Sequence, residues 1–249
     1  MNAYVRAQAV RCVIKLVRSS QCVTTPADGT QAAAASTIYD KDSPDMPESR
    51  QAPIINITGN RVMLGPLSKD VLPTVTRWIN DFSALRTLGA ARPGPSTLER
   101  EEAWYDRVTG ESDDVTFLIR ERLGHEPIGT AAFHAIDFRN RAAVFGIMIG
   151  ESSARDRGYG TEATSLMLDY GFNVLGLHSI SLTVAEFNLA GQRAYRRAGF
   201  RECGRLRERL WLAGRMWDQI HMDCLANEFE SPVLANVFAP DVLRDERPQ

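Results

Sequence analysis

The chain has 249 residues, of which 44% are hydrophobic and 24% are charged, and its formal net charge is −2. This balance gives no indication of a nucleic-acid partner, and no run of about 18 apolar residues predicts a membrane-spanning helix. Four cysteines (Cys12, Cys22, Cys203 and Cys224) form neither a C-x-x-C pair nor a metal-ligand spacing. They favour a cytoplasmic protein with reduced thiols and no metal site.

The N-terminal fifth of the chain differs from the rest in composition. Residues 1–27 contain basic residues and no acidic one, and residues 24–53 are rich in Ala, Ser, Thr, Pro and Asp. Two interpretations stay open, an organelle transit peptide and a disordered extension. We predict a disordered extension or linker over residues 1–53, one folded domain over 54–230, and a tail over 231–249 that adds little to the core. Removal of residues 1–50 is expected to leave the domain folded and active.

The first half of the folded part begins with a short strand over 60–64. Helical spacing of apolar residues follows over 72–79. A Gly/Pro cluster then precedes Ser96-x-x-Glu99, which predicts a capping box and a helix that ends near Val108.

The second half changes to the two-residue period of strands and then alternates strands with helices. The order β-α-α-β-β-β-α-β-α-β-β predicts one α+β domain, in which helices flank a mixed, mostly antiparallel sheet with a parallel crossover over 142–184. We predict strands over 115–120, 128–135, 142–149, 179–184, 200–211 and 216–225, with helices over 158–174 and 188–198. The last two strands are expected to turn at Ala213-Gly214, and a two-residue loop there would set Cys203 opposite Cys224.

The segment from Arg155 to Thr161 has the composition of an anion-binding loop. Gly158 and Gly160 allow close backbone approach at the start of a helix, whose first N–H groups have no internal partner. Arg155 and Arg157 add positive charge and forked donors. A plain turn with solvated charges is the alternative, and the segment matches neither the P-loop nor the complete G-x-G-x-x-G motif.

Two motifs together resemble the GNAT superfamily of N-acetyltransferases. Arg155-x-x-Gly158-x-Gly160 is similar to the [Q/R]-x-x-G-x-[G/A] motif that binds the pyrophosphate of coenzyme A through backbone amides. About thirty residues later, Asn188-x-x-Gly191-x-x-x-Tyr195-x-x-x-Gly199-Phe200 is similar to N-x-x-A-x-x-x-Y-x-x-x-G-F. The resemblance covers roughly residues 57–229 and implies the GNAT fold.

A finer likeness concerns the ribosomal-protein N-terminal (Rim-type) acetyltransferases and their small-molecule relatives. It rests on residues 160–163, on Trp217-Asp218 and on residues 78–81. The chain departs from the pattern at Gly191, where alanine is usual. It departs again at Ala142 and Ala143, near the place where many relatives carry a glutamate.

The resemblance implies direct attack of a primary amine on the thioester of acetyl-CoA, without a metal. The acceptor is left open between a protein N-terminal α-amine and a small-molecule amine, and a catalytically inactive coenzyme A-binding sensor or scaffold is the alternative. We expect a monomer or homodimer that binds neither nucleic acid nor membrane. The predicted cofactor-binding residues are Ile147, Met148, Ile149, Arg155, Arg157, Gly158, Tyr159, Gly160, Thr161 and Asn188.

Tyr195 is the predicted proton donor to the departing thiolate, because a phenol is neutral and protonated at pH 7. The general base is less defined. Glu151, which follows the cofactor-binding strand, is the first candidate, and Glu186, His134 and Asp137 are the others. An α-amine is partly neutral at pH 7 and needs little help, whereas a lysine-like amine needs about 1.4 kcal/mol for each pH unit below its pKa.

Overall fold

The computed structural model describes residues 52–88, 94–110 and 113–241. The predicted extension over residues 1–53, apart from its last two residues, and the end of the predicted tail, 242–249, lie outside this part of the chain. None of the described helices is long and apolar enough to cross a membrane.

Eight strands and six helices carry the described part of the chain. The strands are β1 (Ile57–Thr58), β2 (Val62–Pro66), β3 (Val115–Glu121), β4 (Pro127–Asp137), β5 (Ala142–Ile149), β6 (Ser179–Ala185), β7 (Arg201–Leu212) and β8 (Arg215–Leu225). The helices are α1 (Leu72–Ile79), α2 (Phe82–Leu85), α3 (Leu98–Thr109), α4 (Tyr159–Asn173), α5 (Leu189–Ala198) and α6 (Leu234–Val237), and short 3-10 turns occur at Lys69–Val71, Ser152–Ala154 and Ala226–Glu228.

The strands form one mixed sheet in the order β1-β2-β3-β4-β5-β6-β8-β7. All neighbouring pairs are antiparallel except β5 and β6, which are parallel because α4 carries the chain back between them. This topology confirms the predicted α+β fold with a single parallel crossover.

Helices cover both faces of the sheet. Strand β3 illustrates the two sides, since Phe117 and Ile119 belong to the larger apolar cluster with α4, whereas Leu118 belongs to a smaller cluster with Trp78 and Val108 of α1 and α3. Alternation of side chains along a strand produces this division. The domain therefore has three layers, with the sheet in the middle.

The helix over 98–109 begins one residue later than a capping box at Ser96 requires. Thr97 is the N-cap, and its hydroxyl accepts a hydrogen bond from Arg100 N at 3.4 Å. Ser96 is buried and donates to the carboxylate of Glu101, while its backbone bonds to Asn80. The prediction of a Ser96 cap was wrong because tertiary contacts occupy that residue.

The expectation that the chain after Glu230 adds little to the core was also wrong for its first residues. Leu234 is 6% exposed and belongs to the larger apolar cluster. The fully buried carboxylate of Asp169 on α4 accepts hydrogen bonds from Val233 N at 3.0 Å, Leu234 N at 2.9 Å and the Ser231 hydroxyl. A buried acceptor therefore fixes this segment to α4.

Asp169→Asn is expected to lower the free energy of unfolding by about 2 kcal/mol, because it leaves buried donors with one acceptor oxygen fewer. Urea denaturation of the wild type and the variant measures the loss. Asp241→Asn, at an exposed position of the same C-terminal segment, is the matched control and should leave stability unchanged. Equal stability of the Asp169 variant and the wild type would contradict this account.

Candidate active site

A cleft opens in the sheet where β5 and β6 separate. Their parallel pairing runs from Ala142 opposite Ser179 to Val144 opposite Ser181, although both strands continue beyond it. The other edge of β5 stays paired with β4 as far as Ile149. Among the described residues, no strand therefore pairs with the edge of residues 145–149 that faces β6, and the backbone groups there can bond to a ligand.

The three predicted cofactor-binding residues of β5 divide between the faces of the sheet. Ile147 and Ile149 pack against the larger cluster with α4, and Met148 packs against the smaller one. Their side chains therefore serve the apolar core, and their backbone forms the edge of the cleft.

The N-terminus of α4 lies directly after this strand end. Gly158 is its N-cap with a φ of +82°, and no side chain caps the helix. The N–H groups of Tyr159, Gly160 and Thr161 occupy the first turn, where helix geometry supplies no acceptor. A Cβ at Gly158 would lie 3.0 Å from Arg61 Nη1, and one at Gly160 would lie 3.5 Å from Ile149 Cγ1. The loop thus presents backbone N–H groups that helix geometry leaves unpaired, as an anion site requires.

A basic cavity of about 290 Å³ adjoins this loop. Arg61, Arg122 and Arg157 line it together with Glu121 and Tyr159. Arg61 donates to Arg157 O at 3.0 Å, and the Arg157 guanidinium lies 5.0 Å from the centre of the Tyr159 ring. Three guanidinium groups and one carboxylate leave the cavity with positive charge. Sequence patterns identified only Arg157, because Arg61 and Arg122 lie on distant segments that the sheet brings to the loop.

Tyr159 and Glu162 fix the first turn of α4 to the sheet. The Tyr159 hydroxyl donates to the Glu121 carboxylate, which raises the pKa of the phenol. The Glu162 carboxylate accepts from the backbone N–H groups of Asn60 and Arg61. The side chain of Tyr159 therefore holds the helix, and its backbone N–H is one of those that helix geometry leaves unpaired in the first turn.

Arg155 is engaged by protein acceptors. Its guanidinium donates to Ile149 O at 3.2 Å and Gly150 O at 3.0 Å, and also to the Ser83 hydroxyl at 2.7 Å and Asp81 Oδ2 at 3.1 Å. These bonds join the end of β5 to the start of α2. The expected forked donor to a phosphate is thus directed at the protein, because carbonyl and carboxylate oxygens surround it.

Glu151 is held in a similar way on the other side of the loop. Its Oε2 accepts from Arg77 Nη2 at 2.6 Å and from Trp78 Nε1 at 3.4 Å. The bond from Arg77 lowers the pKa of the Glu151 carboxyl group, which disfavours proton uptake. The neighbouring Gly150 is packed against the Trp78 ring, since a Cβ there would lie 2.2 Å from Trp78 Cδ2. The environment of Glu151 is that of a structural ion pair.

Tyr195 lies beside the opening of the cleft. Its ring packs edge-on against Phe145 of β5, at 6.5 Å between centroids, and against Phe200 at 6.0 Å. Burial raises the pKa of Tyr195 to about 12. The phenol is therefore fully protonated at neutral pH and has a proton to donate.

Asn188 caps α5. Its Oδ1 accepts from Gly191 N at 2.9 Å. A Cβ at Gly191 would lie 2.6 Å from Asn188 Nδ2, so the glycine leaves room for the amide in this position. The capping interpretation is confirmed, and a contact of Asn188 with coenzyme A stays a prediction.

Two carboxylates, those of Glu186 and Asp218, lie where β6 ends and β8 begins, and Arg205 Nη1 is 3.9 Å from Glu186 Oε1. Glu186 Oε2 accepts from Asp218 N at 3.1 Å, and Asp218 Oδ1 accepts from Glu208 N at 3.0 Å. The Trp217 ring packs on Phe187 at 5.5 Å between centroids. Because β5 and β6 are parallel, this region lies at the same end of the strands as the cleft.

The remaining base candidates lie on β4. His134 Nδ1 is 3.0 Å from Asp114 Oδ2, and Asp137 accepts from Asn140 N and Nδ2 at 2.9 and 2.7 Å. The bonds from Asn140 lower the pKa of the Asp137 carboxyl group. Asp137 thus stabilises a turn. His134 bonds to Asp114 through Nδ1, and Nε2 is its second ring nitrogen.

Cys203 and Cys224 are free thiols, exposed and buried respectively. Residue 203 forms a bulge between paired residues Glu202 and Gly204. The two-residue turn at Ala213 and Gly214 was predicted correctly, but this bulge and a larger irregularity between Leu206 and Leu210 shift the register that would have set the two cysteines opposite each other.

Comparison with known proteins agrees with this architecture. Residues 61–201 match the model of the acetyltransferase (GNAT) domain. The uncharacterized N-acetyltransferase YoaA of Bacillus subtilis is 33% identical over 140 residues, which are 56% of this chain and 76% of that protein. The spermidine N(1)-acetyltransferase of Escherichia coli K12 is 26% identical over 172 residues, which are 69% of this chain and 90% of that protein.

A solved structure has the same fold. Spermidine N-acetyltransferase from Vibrio cholerae, crystallised with CoA and spermine, superposes with a TM-score of 0.62 at 24% identity, covering 67% of this chain and 96% of that one. The family match spans more than half of the chain and includes the cleft, the glycine loop and Tyr195. The chain belongs to the GNAT family of acetyltransferases, and it is an acetyl-CoA-dependent N-acetyltransferase.

Proposed function

We propose that the chain acetylates the primary amine of a small cationic molecule of the polyamine type, with the thioester held in the cleft between β5 and β6. The observation that carries the proposal is the juxtaposition of the cleft with the uncapped N-terminus of α4 and with Tyr195. Toward the same end of the sheet, Glu186 and Asp218 offer carboxylate oxygens to a cationic acceptor, in competition with Arg205, whose Nη1 is 3.9 Å from Glu186 Oε1.

A protein N-terminal α-amine is the second candidate. It is favoured by the likeness of residues 160–163, Trp217-Asp218 and 78–81 to the ribosomal-protein N-terminal (Rim-type) branch. The two acceptors differ in basicity, because an α-amine is partly neutral at pH 7 and a polyamine amine is almost wholly protonated. A polyamine-type acceptor must therefore lose a proton before it attacks the thioester, and the enzyme has to provide a base for this step.

In this proposal the backbone N–H groups of Tyr159, Gly160 and Thr161 bind the pyrophosphate of coenzyme A. The edge of β5 at residues 147–149 bonds to the pantetheine arm, with Asn188 at its other side. Arg155 and Glu151 act as positioning residues that hold the loop, which assigns Glu151 a role other than the general base. Tyr195 donates a proton to the sulfur as the C–S bond breaks.

The basic cavity is proposed to bind the 3′-phosphate of coenzyme A. It adjoins the loop through Arg157 and Tyr159, and its guanidinium groups offer forked donors to a phosphomonoester. Dephospho-coenzyme A lacks this phosphomonoester and cannot use the three arginines, so this cavity would favour coenzyme A over dephospho-coenzyme A.

Arg122→Gln is expected to reduce the preference for coenzyme A over dephospho-coenzyme A about tenfold, because one charge-assisted hydrogen bond contributes about 1.5 kcal/mol. Isothermal titration of both ligands measures the preference. Arg120→Gln is the matched control, since Arg120 lies two residues earlier on β3 but donates to His125 O and does not line the cavity. An unchanged preference in the Arg122 variant would remove Arg122 from the phosphate site.

The test of the acceptor is thiol release from acetyl-CoA with a panel of amines. The panel contains spermidine, a monoamine, an amino sugar and peptides with a free or a blocked N-terminus. We expect turnover with primary amines, highest with the polyamine, and none with the blocked peptide. Turnover with the free peptide alone would select the second candidate, and thermal stabilisation by acetyl-CoA without any thiol release would contradict both.

The free cysteines support a cytoplasmic location for the protein. A reducing cytoplasm suits Cys203 and Cys224, which are both free. Fluorescence microscopy of a tagged full-length chain tests this assignment.

A further inference from the structure

A histidine–carboxylate pair lies on the face of the sheet opposite α4. His134 on β4 has Nδ1 at 3.0 Å from Oδ2 of Asp114, which directly precedes β3. We propose that His134 is the general base that takes a proton from the acceptor amine, and that Asp114 is the positioning residue that orients its ring. This inference rests on the proposed function, because it concerns the amine that the site acetylates.

The second ring nitrogen of His134 lies close to Gly146 of β5. A Cβ at Gly146 would lie 3.6 Å from His134 Nε2 and 3.8 Å from Cδ2, so the edge of the ring lies over the backbone of Gly146. Gly146 is two residues beyond Val144, which is the last residue of β5 paired with β6. Gly146 has no side chain to separate Nε2 from the backbone of β5 at this residue, and Val144, the cross-strand partner of His134, lies beside it on the same face.

The partner of Nδ1 defines the chemistry of Nε2. A carboxylate only accepts hydrogen bonds when it is ionised, so Asp114 assigns the ring proton to Nδ1. The lone pair of the neutral ring is then on Nε2, the nitrogen close to Gly146. Half of the His134 side chain is exposed, so an amine or one bridging water can reach it from solvent.

The proposed acid, Tyr195, and the proposed base, His134, contact opposite faces of β5. Tyr195 packs on Phe145, whose side chain faces α4 in the larger cluster. His134 lies over the next residue, Gly146, on the face that carries Met148 and the smaller cluster. A thioester that occupies the gap beyond Val144 thus has a base on one side and a proton donor on the other.

The protons balance for a protonated amine. Nε2 takes one proton from the ammonium group, and the neutral nitrogen forms a bond to the acetyl carbon as the C–S bond breaks. Tyr195 gives its proton to the sulfur. The nitrogen loses its second proton, which replaces through solvent the one that Tyr195 gave. His134 releases its proton to solvent, so one proton is released for each amide formed from an ammonium ion.

The surroundings of His134 leave it as the base candidate on this face. Residues 142–149 of β5 include no titratable side chain, and the residue just before β3 is Asp114, the partner of His134. Further along β4, Asp137 is bonded to Asn140. Glu151, after β5, is paired with Arg77. Among the described residues, Asp114, Asp137 and Glu151 are the carboxylates considered around the His134 ring, and each has a hydrogen-bond partner.

The experiment is a pH profile of kcat/KM for the best acceptor of the panel, measured with wild type, His134→Gln and Asp114→Asn. We expect His134→Gln to lower kcat/KM about 100-fold at pH 7, within the range of general base catalysis, and to keep the affinity for acetyl-CoA. The difference should shrink as rising pH deprotonates the free amine. Asp114→Asn should lower kcat at pH 7 while it leaves KM for acetyl-CoA unchanged, because the ring loses the carboxylate that orients it.

Two controls separate catalysis from structure. His178→Gln changes an exposed histidine just before β6, at the opposite end of the strand from the cleft, and should match wild type. Imidazole in the buffer should restore activity to His134→Ala, which a structural defect would not permit. A wild-type profile in both His134→Gln and Asp114→Asn would overturn the proposal, whereas an inactive wild type on every amine would instead refute the proposed function.

Discussion

Gly158→Glu is expected to weaken acetyl-CoA binding at least about 100-fold, which corresponds to about 2.7 kcal/mol. Gly158 has a φ of +82°, and any Cβ there would lie 3.0 Å from Arg61 Nη1. The new carboxylate would also occupy the N-terminus of α4, where it would repel the pyrophosphate and compete for the same N–H groups. Isothermal titration calorimetry with acetyl-CoA measures the effect.

The matched control is Gly176→Glu. Gly176 also has a positive φ, +65°, but no atom lies within 4 Å of a Cβ there. Both variants should lose stability through backbone strain, and only the one at Gly158 should lose the cofactor. Retained acetyl-CoA affinity in Gly158→Glu would refute the assignment of the loop.

Tyr195→Phe is expected to lower kcat about 100-fold or more and to change acetyl-CoA affinity by less than about twofold. The substitution removes one hydroxyl and keeps the ring contacts with Phe145 and Phe200. The loss therefore reports on the proton and not on the packing. Single-turnover kinetics with saturating acetyl-CoA measures the chemical step.

The raised pKa of Tyr195 also predicts the shape of the pH profile of the reaction. Because burial raises the pKa to about 12, the phenol stays protonated up to about pH 10. The proton donor should thus produce no alkaline limb in an ordinary pH profile. Tyr170→Phe is the control, since Tyr170 packs edge-on against Phe117 at 5.0 Å within α4's interface with the sheet. Wild-type kcat in Tyr195→Phe would mean that solvent or another acid protonates the sulfur.

Local patterns predicted the elements that border the site. The strand over 142–149 has the predicted bounds, and the helix after the glycine loop extends over Tyr159–Asn173, within one residue of the prediction at each end. Strands and glycine turns depend on residues that are adjacent in sequence, so their pattern is visible without a structure. The predicted turn at Ala213 and Gly214 is confirmed for the same reason, since both residues have positive φ.

The predictions that failed concern polar side chains with partners far away in sequence. The partners of Ser96 include Asn80. Likewise, the carboxylate of Asp169 bonds to residues more than 60 positions away. A hydroxyl or carboxylate bonds to whichever buried group the fold brings within about 3 Å. Sequence spacing carries no information on that choice.

The sequence by itself predicted the donor of this enzyme, because the glycine loop at Gly158 and the motif from Asn188 to Phe200 are local patterns with fixed spacing that resemble those of the GNAT superfamily. Tertiary structure decided what surrounds them. It directed Arg155 to the protein and brought Arg61 and Arg122 to the loop. It also paired His134 with Asp114 and set its ring over Gly146 of β5. The reason is physical: a loop's backbone conformation depends on its own residues, whereas the order of strands in the sheet decides which distant side chains meet.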